Sequence, residues 1–340
     1  MCRYKETKKV KIVKILITGA TGFIGSHLVD RLLEKNYSII ATVRKTSNLQ
    51  WLVNKPIQLV EASLDDKSKL LDIVKDVDYI YNVAGVIAAK SYNDFLRANR
   101  DGTRNIIEAV YEVNPNIKRF IQVSSQAVAG PASSLDRPVK ESDECHPITS
   151  YGKSKKEGED VVRSFKDKLP ITIVRPPSVY GPRDPAIRDI FRIGKMGLGP
   201  LMGLSDKYVS LIHCDDLVRG IIMAGESPNS VGETYFITSK DFHNWQQIMG
   251  VLKAALGKKA FITIKFPHPL VLAAGGVSEF FGKFSKKPPV FDKEKALDFI
   301  QDYWICSPEK AKKDLGFESQ IDLQSGFNET AKWYKDNKWI

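Results

Sequence analysis

The chain has 340 residues, 43% of them hydrophobic, which is enough for one domain with a buried core and a smaller lobe. Its four cysteines are scattered and no apolar run reaches the roughly 20 residues that span a bilayer, so we predict a cytoplasmic protein without a disulfide framework, a metal site or a transmembrane segment. The formal net charge is +11, but the lysine clusters accompany no recognition motif, and we interpret them as a solvated surface rather than a nucleic-acid site.

The first predicted element is a buried strand over residues 11–18, rich in β-branched and apolar residues. A glycine-rich turn follows over residues 19–25, and leucines at helical spacing continue over residues 26–35. This order is typical of dinucleotide binding, because glycine allows a close backbone approach and a helix N-terminus favours the charge of a pyrophosphate. The alternative, a glycine-rich turn without a ligand, is disfavoured by the flanking pattern. The predicted cofactor contacts in this turn are Gly19, Thr21, Gly22, Phe23, Ile24 and Gly25.

The second predicted strand, over residues 38–43, is followed by Arg44. Where related folds bind NAD, an acidic residue near this strand end binds the ribose 2′-hydroxyl. No acid stands at that place, whereas the guanidinium of Arg44 can bind a 2′-phosphate through charge-assisted hydrogen bonds. The sequence therefore predicts NADP as the preferred cofactor, with NAD as the alternative.

Four more strands are predicted, alternating with helical stretches, over residues 57–61, 78–82, 119–123 and 171–175. The alternation predicts the fold class α/β, with a doubly wound parallel sheet (Rossmann) and a smaller C-terminal substrate-binding lobe. We place the dinucleotide-binding domain at residues 1–180. Residues 181–340 are assigned mainly to the lobe, with some segments returning to the sheet.

Tyr151 and Lys155 lie four residues apart on a predicted helix, so their side chains share one face. A free tyrosine has a pKa of roughly 10, but a neighbouring ammonium favours the phenolate and lowers that pKa. Ser125 follows the strand over residues 119–123 and can polarise a substrate oxygen. The three residues predict proton transfer to a ketone or from an alcohol near neutral pH.

Six motifs, in the same order along the chain, resemble those of the extended short-chain dehydrogenases/reductases, also described as the NAD-dependent epimerase/dehydratase family. They cover roughly the first 220 residues, and their joint occurrence is far more specific than any one motif. The C-terminal third matches only loosely. The matching segments are residues 18–25, 82–85, 99–105, 123–125, 151–155 and 175–182.

The resemblance implies roles for the residues at these motifs. Ser125 is expected to hold the substrate oxygen, Tyr151 to act as general acid/base, and Lys155 to bind the nicotinamide ribose. Asn99 is expected either to anchor a water that relays protons to Lys155 or to position its helix. An acidic residue that contacts adenine in many members is replaced by Ser63, which leaves Leu64 for that contact. Implied cofactor contacts outside the glycine turn are Leu64, Ala84, Gly85, Tyr151, Lys155, Pro177, Ser178 and Val179.

The chain departs from the nucleotide-sugar epimerases and dehydratases of the family. Many of these have asparagine where Ser178 stands, and an arginine before the stretch at residues 213–216 that is absent here. A buried pyrophosphate without such partners is costly. The chain looks closer to the branch of 3β-hydroxysteroid dehydrogenases and dihydroflavonol reductases, whose substrates are rather apolar.

The leading prediction is therefore an NAD(P)-dependent oxidoreductase that interconverts a secondary alcohol and a ketone by hydride transfer on a small, fairly apolar molecule. One alternative is a nucleotide-sugar 4-epimerase or dehydratase with tightly bound NAD. A less favoured one is a sensor that binds NADPH without chemistry. The resemblance also implies a homodimer through helices near residues 91–113 and 149–169.

Two polar features of the C-terminal lobe are given structural interpretations. Arg188, Arg192 and Lys195 recur at helical spacing and are interpreted as a solvated helix face rather than a phosphate site. Asp215 or Asp216 is predicted to cap a helix rather than to bind a metal.

The apolar stretch over residues 261–284, flanked by Lys286 and Lys287, is interpreted as an amphipathic helix packed on the lobe. A roof over an apolar pocket and a peripheral membrane contact are the alternatives. A terminal helix is predicted over residues 323–338.

Overall fold

A computed structural model of the chain describes residues 12–282 and 291–340. Its strands are β1 Lys14–Thr18, β2 Ser38–Val43, β3 Gln58–Glu61, β4 Tyr79–Asn82, β5 Arg119–Val123, β6 Ile171–Arg175, β7 Ser178–Tyr180, β8 Leu198–Met202, β9 Tyr208–His213, β10 Thr234–Phe236, β11 Phe242–Asn244, β12 Ile262–Phe266 and β13 Tyr303–Trp304. The central sheet in these residues has the order β10-β6-β5-β4-β1-β2-β3, and every pairing in it is parallel.

Helices cover both faces of this sheet. They are α1 Phe23–Glu34, α2 Lys67–Val74, α3 Tyr92–Leu96, α4 Gly102–Val113, α5 Ser150–Arg163, α6 Arg188–Lys195, α7 Cys214–Glu226, α8 Trp245–Leu256, α9 His268–Gly282, α10 Lys293–Phe299, α11 Glu309–Leu315 and α12 Leu323–Asp336. One core cluster joins the sheet to α1 and α7, and a second joins it to α2, α4 and α5.

The doubly wound α/β fold predicted from the sequence is confirmed. The six predicted strands lie where expected, with ends that differ by at most three residues. The central strands β5 and β6 are buried along their whole length, as expected for a parallel sheet covered by helices on both faces. The terminal helix begins at Leu323 as predicted.

The strand order reverses between β1 and β4, and parallel sheets of this kind bind ligands in the crevice at such a switch point. The loops after β1 and β4 meet there, since a Cβ on Gly19 would lie 2.7 Å from the backbone nitrogen of Ala84. The fold therefore places the glycine turn and the predicted contacts Ala84 and Gly85 at the same edge of the sheet.

The C-terminal lobe has its own small sheets and core. Strands β7, β11 and β13 pair with β9, while β8 and β12 form a separate two-stranded ribbon. A core cluster holds α6, α8 and α12 together. Strand β10 leaves the lobe and joins the edge of the central sheet beside β6.

Two sequence interpretations in the lobe need correction. The basic face of α6 is not simply solvated, because the Arg188 guanidinium lies 5.4 Å from the ring centroid of Trp339 and Arg192 donates to the carbonyl of that residue. The residue that caps α7 is His213, whose Nδ1 accepts from the backbone N–H of Asp215 at 3.4 Å. Asp216 instead accepts backbone hydrogen bonds from residues 320 and 321.

A buried ion pair fixes α5 to the sheet. Glu159 of α5 accepts two hydrogen bonds from Arg175 at the end of β6, with distances of 2.9 and 2.7 Å, and both side chains are 1% exposed. Burial raises the pKa of the Glu159 carboxyl, but the hydrogen bonds and charge of Arg175 outweigh it, so the pKa is lowered overall. The carboxylate is therefore charged at neutral pH and is fully compensated by its bidentate partner.

Replacing Glu159 with glutamine is expected to lower the free energy of unfolding by about 3–5 kcal/mol, because it leaves the buried Arg175 without its counter-ion. Denaturant unfolding measures this. The matched control is Asp336→Asn, which breaks the exposed Lys332–Asp336 pair of α12 and should change stability by less than about 0.5 kcal/mol.

The difference between wild type and Glu159→Gln should depend on pH. The folded-state pKa of Glu159 is depressed, so its stabilisation is present above the unfolded pKa of about 4.3 and is lost as the pH falls through the lower folded value. A difference that stays constant down to pH 3 would contradict this assignment.

Candidate functional site

The glycine turn is folded tightly onto the start of α1. Gly19 has a φ of +71°, and its carbonyl accepts from the backbone N–H of Gly22 at 3.0 Å. A Cβ on Gly25 would lie 2.2 Å from the same carbonyl, so only glycine fits. Gly22 caps α1 without a side-chain hydrogen bond, which leaves N–H groups at the helix N-terminus free for an anion. Thr21 lies in the turn, and Phe23 and Ile24 begin the helix.

A chain of buried side chains holds the two crevice loops in register. Thr18 at the end of β1 donates to Asn82 Oδ1 at 2.6 Å and accepts from the backbone N–H of Ala84 at 3.1 Å. Asn82 in turn donates to Gln122 of β5 at 2.7 Å. These bonds fix the backbone of Ala84 beside the glycine turn.

Asn99 secures the loop after β4. It lies buried in a π-helical turn, Arg97–Asp101, and its side chain both accepts from Val86 N at 2.9 Å and donates to Val86 O at 3.1 Å. It also donates to Ser154 Oγ of α5 at 2.9 Å. Of the two predicted roles, these contacts correspond to positioning, and the water-relay role stays a prediction. A Cβ on Gly85 would meet Asn99 Oδ1 at 2.9 Å and Lys155 Nζ at 3.6 Å.

Ser125 and Tyr151 lie at one end of the same cleft. Ser125 follows β5 and caps a short 3₁₀ turn, where its hydroxyl oxygen accepts from Ala127 N at 3.1 Å. Tyr151 lies in the first turn of α5, which Thr149 caps. The Ser125 hydroxyl is close enough to hydrogen-bond with the phenol and counteract the rise in its pKa. Lys155, one turn further along, is buried and donates to Val123 O at 2.7 Å.

The electrostatics of this group differ from the sequence expectation. Burial raises the pKa of Tyr151, the Ser125 hydroxyl lowers it, and the carboxylate of Asp298 raises it further. Lys155 is not among the groups that shift this pKa, contrary to the expectation; its ammonium donates to the Val123 carbonyl. Burial lowers the pKa of Lys155 itself to about 8, against the opposing effect of Glu159. The pKa of the Tyr151 phenol is thus set first by its burial.

The cleft has a volume of about 730 Å³, and most of its far wall comes from the C-terminal lobe. Pro177 and Ser178 also line it, whereas Val179 lies in β7 and is not among its lining residues. No sequence motif marks the residues of the lobe wall, so their place in the cleft is seen only in the structure. Its aromatic and apolar members are Tyr208, Val209, Trp245, Phe299 and Trp304.

Helix α10 brings that wall to α5, the helix that carries Tyr151. Glu294 accepts from the backbone N–H of Ser150 at 2.7 Å and from its hydroxyl at 2.6 Å, at the N-terminus of α5. One turn later Asp298 lines the cleft, and its Oδ1 is buried with no hydrogen-bond partner among the described residues. Burial raises the pKa of Asp298. An unsatisfied carboxylate oxygen beside Tyr151 is suited to accept a hydrogen bond from a substrate.

Arg44 and Leu64 are the residues predicted to contact the adenosine part of the cofactor. Arg44 is exposed after β2, its backbone N–H donates to Ser47 Oγ at 2.9 Å, and its guanidinium pairs with no carboxylate within residues 12–282 and 291–340. Leu64 packs beside Gly102, and its carbonyl accepts from Asn105 at 2.8 Å.

His27, Cys214 and Asp215 form the group of potential metal ligands found in the described part of the chain, although the sequence analysis predicts no metal site. His27 Nε2 is 2.8 Å from Pro182 O, and its Nδ1 is 3.4 Å from Asp215 Oδ1. Burial raises the pKa of the Cys214 thiol. These contacts hold α1 against α7 and the loop after β7.

Comparison with known proteins agrees with this geometry. A model of the family described as "NAD dependent epimerase/dehydratase family" matches residues 15–238. The ceramide reductase of Caulobacter vibrioides is 28% identical over 327 residues, covering 96% of each chain. The sterol-4-alpha-carboxylate 3-dehydrogenase (decarboxylating) of Candida albicans is 25% identical over 352 aligned positions, covering 95% of this chain and 98% of the relative.

Among solved structures, the UDP-glucuronic acid 4-epimerase from Bacillus cereus in complex with UDP-glucuronic acid and NAD superimposes with a TM-score of 0.76. The identity is 24%, and the match covers 96% of this chain and 100% of that one. This likeness establishes the fold.

The crevice fits a dinucleotide of this family. Gly25 has no side chain, which allows the turn to pack tightly on the start of α1, and α1 presents free N–H groups at its N-terminus. Lys155 lies beside Gly85, where we expect its ammonium to reach a ribose. We expect Gly25→Ala to weaken NAD(P)H binding at least tenfold, because the new Cβ would overlap the Gly19 carbonyl. Titration of cofactor fluorescence measures this. The matched control is Gly250→Ala in α8, where no atom lies within 4 Å of the added Cβ and binding should not change.

Proposed function

The chain belongs to the NAD-dependent epimerase/dehydratase family, and on this premise we propose that it interconverts a ketone and a secondary alcohol on an apolar, lipid-like substrate, with NADP as the preferred cofactor. It is an NAD(P)-dependent enzyme of the extended short-chain dehydrogenase/reductase type. The observation that carries the proposal is the composition of the cleft that opens from Ser125 and Tyr151.

The cleft suits an apolar molecule better than a sugar nucleotide. No arginine lines it within the described residues, and its two lysines are each paired with a carboxylate. Lys207 is 2.8 Å from Asp302, and Lys295 is 3.4 Å from Asp298. A diphosphate placed here would be desolvated without a free cation to compensate it. The aromatic wall of the lobe instead offers apolar contact area.

The names of two relatives point the same way. Ceramide reductase and sterol-4-alpha-carboxylate 3-dehydrogenase are both named for redox reactions on lipids. Both match this chain over nearly its whole length, including the lobe that forms the far wall of the cleft. The shared lobe supports a lipid-like substrate here.

The residues present can perform the proton transfers of such a reaction. The bound nicotinamide would supply or accept the hydride. Ser125 would hold the substrate oxygen by a hydrogen bond, and the Tyr151 hydroxyl would donate a proton to that oxygen in reduction or remove it in oxidation. Lys155 would bind the nicotinamide ribose through its buried ammonium. Asp298 would accept a hydrogen bond from a donor group near the carbonyl.

Exposed tyrosines on α3 and α4 of the dinucleotide-binding domain support a homodimer. Tyr92 of α3 and Tyr111 of α4 are 37% and 45% exposed on the face through which the resemblance implies pairing. Large aromatic side chains in such a position favour an interface. The homodimer stays a prediction.

Tyr151→Phe should abolish turnover, with at least a 10³-fold loss in kcat, while cofactor binding stays within about twofold, because only the proton-transferring hydroxyl is removed. NADPH oxidation with a panel of long-chain ketones measures this, and Tyr111→Phe serves as a control that keeps its ring and full activity. Undiminished activity of Tyr151→Phe would overturn the assignment. Epimerisation of a UDP-sugar without net NADPH oxidation would favour the nucleotide-sugar 4-epimerase alternative, which the solved UDP-glucuronic acid epimerase suggests.

Arg44→Ala should raise the Kd for NADPH about 10- to 100-fold and leave that for NADH unchanged, because one charge-assisted contact with the 2′-phosphate is lost. The matched control is Lys45→Ala at the adjacent position. Lys45 is also exposed, but its ammonium already lies 4.0 Å from the carboxylate of Glu61. Equal effects of Arg44→Ala on both cofactors would argue against NADP preference.

A further inference from the structure

Exposed apolar side chains are concentrated on one part of the C-terminal lobe. They lie at both ends of β8, along β12 and along α9. Apolar patches of this extent on a soluble domain mark interaction surfaces. We call this surface the apolar face; its large exposed members are Met196, Leu204, Ile262, Ile264, Phe266, Leu270, Val277, Phe280 and Phe281.

The ribbon of β8 and β12 contributes one continuous side of this face. Ile262, Ile264 and Phe266 alternate along β12 and therefore point to the same side. They pair in register with Leu198, Pro200 and Met202 of β8, which are only partly buried. The apolar residues of both strands thus lie side by side toward solvent.

Helix α9 follows directly from β12 and has two apolar sides. Its inner side packs on α10, where a Cβ on Gly275 would lie 2.7 Å from Asp292 O. Its outer side carries Leu270, Val277 and Phe281, which are 59%, 57% and 66% exposed and share one helix face. The amphipathic helix interpreted over residues 261–284 is wrong for residues 262–266, which form β12, and its packing on the lobe describes only the inner side of α9. Phe284, Lys286 and Lys287 lie outside the described residues.

Unpaired lysines border the apolar face. Lys195 precedes β8, Lys258 and Lys259 precede β12, and Lys265 lies within β12. Within the described chain none of the four lies within 4 Å of a carboxylate. The acidic residues on or next to β8, β12 and α9 are Asp206, which follows β8, and Glu279 of α9. An apolar surface with a basic border is complementary to an anionic lipid surface.

The apolar face is linked to the cleft through α10. This helix packs against α9, and its residues Lys295, Asp298 and Phe299 line the cleft. No helix of the described residues is long and apolar enough to cross a membrane. The geometry therefore favours contact with one leaflet.

We propose that the apolar face docks on the surface of an anionic lipid bilayer and places the cleft next to membrane-embedded substrate. The delivery of substrate rests on the proposed function, whereas the docking itself does not. The competing occupant, a second copy of the chain, would bring two lysine-bordered faces into one interface, where the excess of like charges is repulsive.

Sedimentation with vesicles tests the docking. With equimolar phosphatidylglycerol and phosphatidylcholine, the full chain should bind, and Leu270→Ser/Val277→Ser/Phe281→Ser should bind at least tenfold more weakly, because the apolar contact is lost. Val53→Ser/Val231→Ser is the matched control, since these valines are 60% and 47% exposed elsewhere and binding should not change. Pure phosphatidylcholine or high salt should also weaken binding of the wild type.

The outcomes separate this proposal from the proposed function. Unchanged vesicle binding of the triple variant, or no binding by the wild type, would overturn the docking even if ketones are reduced. Self-association lost in the triple variant, without vesicle binding, would assign the face to a second copy and also overturn it. Vesicle binding by a protein that reduces no ketone would support the docking of the apolar face and reject the proposed function. The triple variant could turn over a short soluble ketone at the normal rate, but turn over more slowly a ketone that is attached to a long alkyl chain embedded in the vesicle. That result would support both the docking and the proposed function.

Discussion

The site depends on the buried pair of Glu159 and Arg175. Tyr151, Lys155 and Glu159 recur every four residues on one face of α5, so the carboxylate that is held by Arg175 also orients the two residues before it. Arg175 ends β6 and is followed at once by the prolines that lead into the cleft. Burying two charges is costly, and their bidentate geometry offsets that cost only in one relative placement of helix and strand. The pair thus selects the placement in which the Tyr151 phenol faces the cleft.

A second constraint attaches the C-terminal lobe to the same helix. Glu294 of α10 binds the backbone N–H and hydroxyl of Ser150, where the helix N-terminus of α5 favours a negative charge. Because Asp298 lies four residues later on α10, this contact brings its carboxylate to Tyr151. The two lobes are therefore joined next to Tyr151, the proposed acid/base residue, and any movement of α10 would change both the exposure and the pKa of this side chain.

The sequence was sufficient where local patterns determine structure. The strands of the sheet, the glycine turn and the fold class followed from apolar runs and glycine spacing. The lobe wall of the cleft could not be predicted, because its residues meet only through long-range contacts such as that of Glu294 with Ser150, 144 positions apart. The predicted cap of α7 was wrong for a local reason. An aspartate was expected to accept the capping hydrogen bond, but the imidazole of His213 accepts it. The imidazole can do so because burial lowers the pKa of His213 and keeps the ring neutral. The π-helical turn at Asn99 has no sequence signature that would distinguish it from an ordinary helix.

The apolar face and the cleft give α10 a double role. A lipid that leaves a bilayer for water loses about 0.8 kcal/mol for each CH₂ exposed, so a long-chain substrate cannot reach a distant cleft at a useful rate. An enzyme for such a molecule needs an apolar surface close to its catalytic residues, and in this chain one short helix, α10, separates α9 from the cleft by contacting the first and lining the second. The tight contact of Gly275 with α10 keeps that separation small, since a larger residue would push α9 away from Asp292 and Ala296. The same packing that builds the cleft wall thus also exposes the outer face of α9.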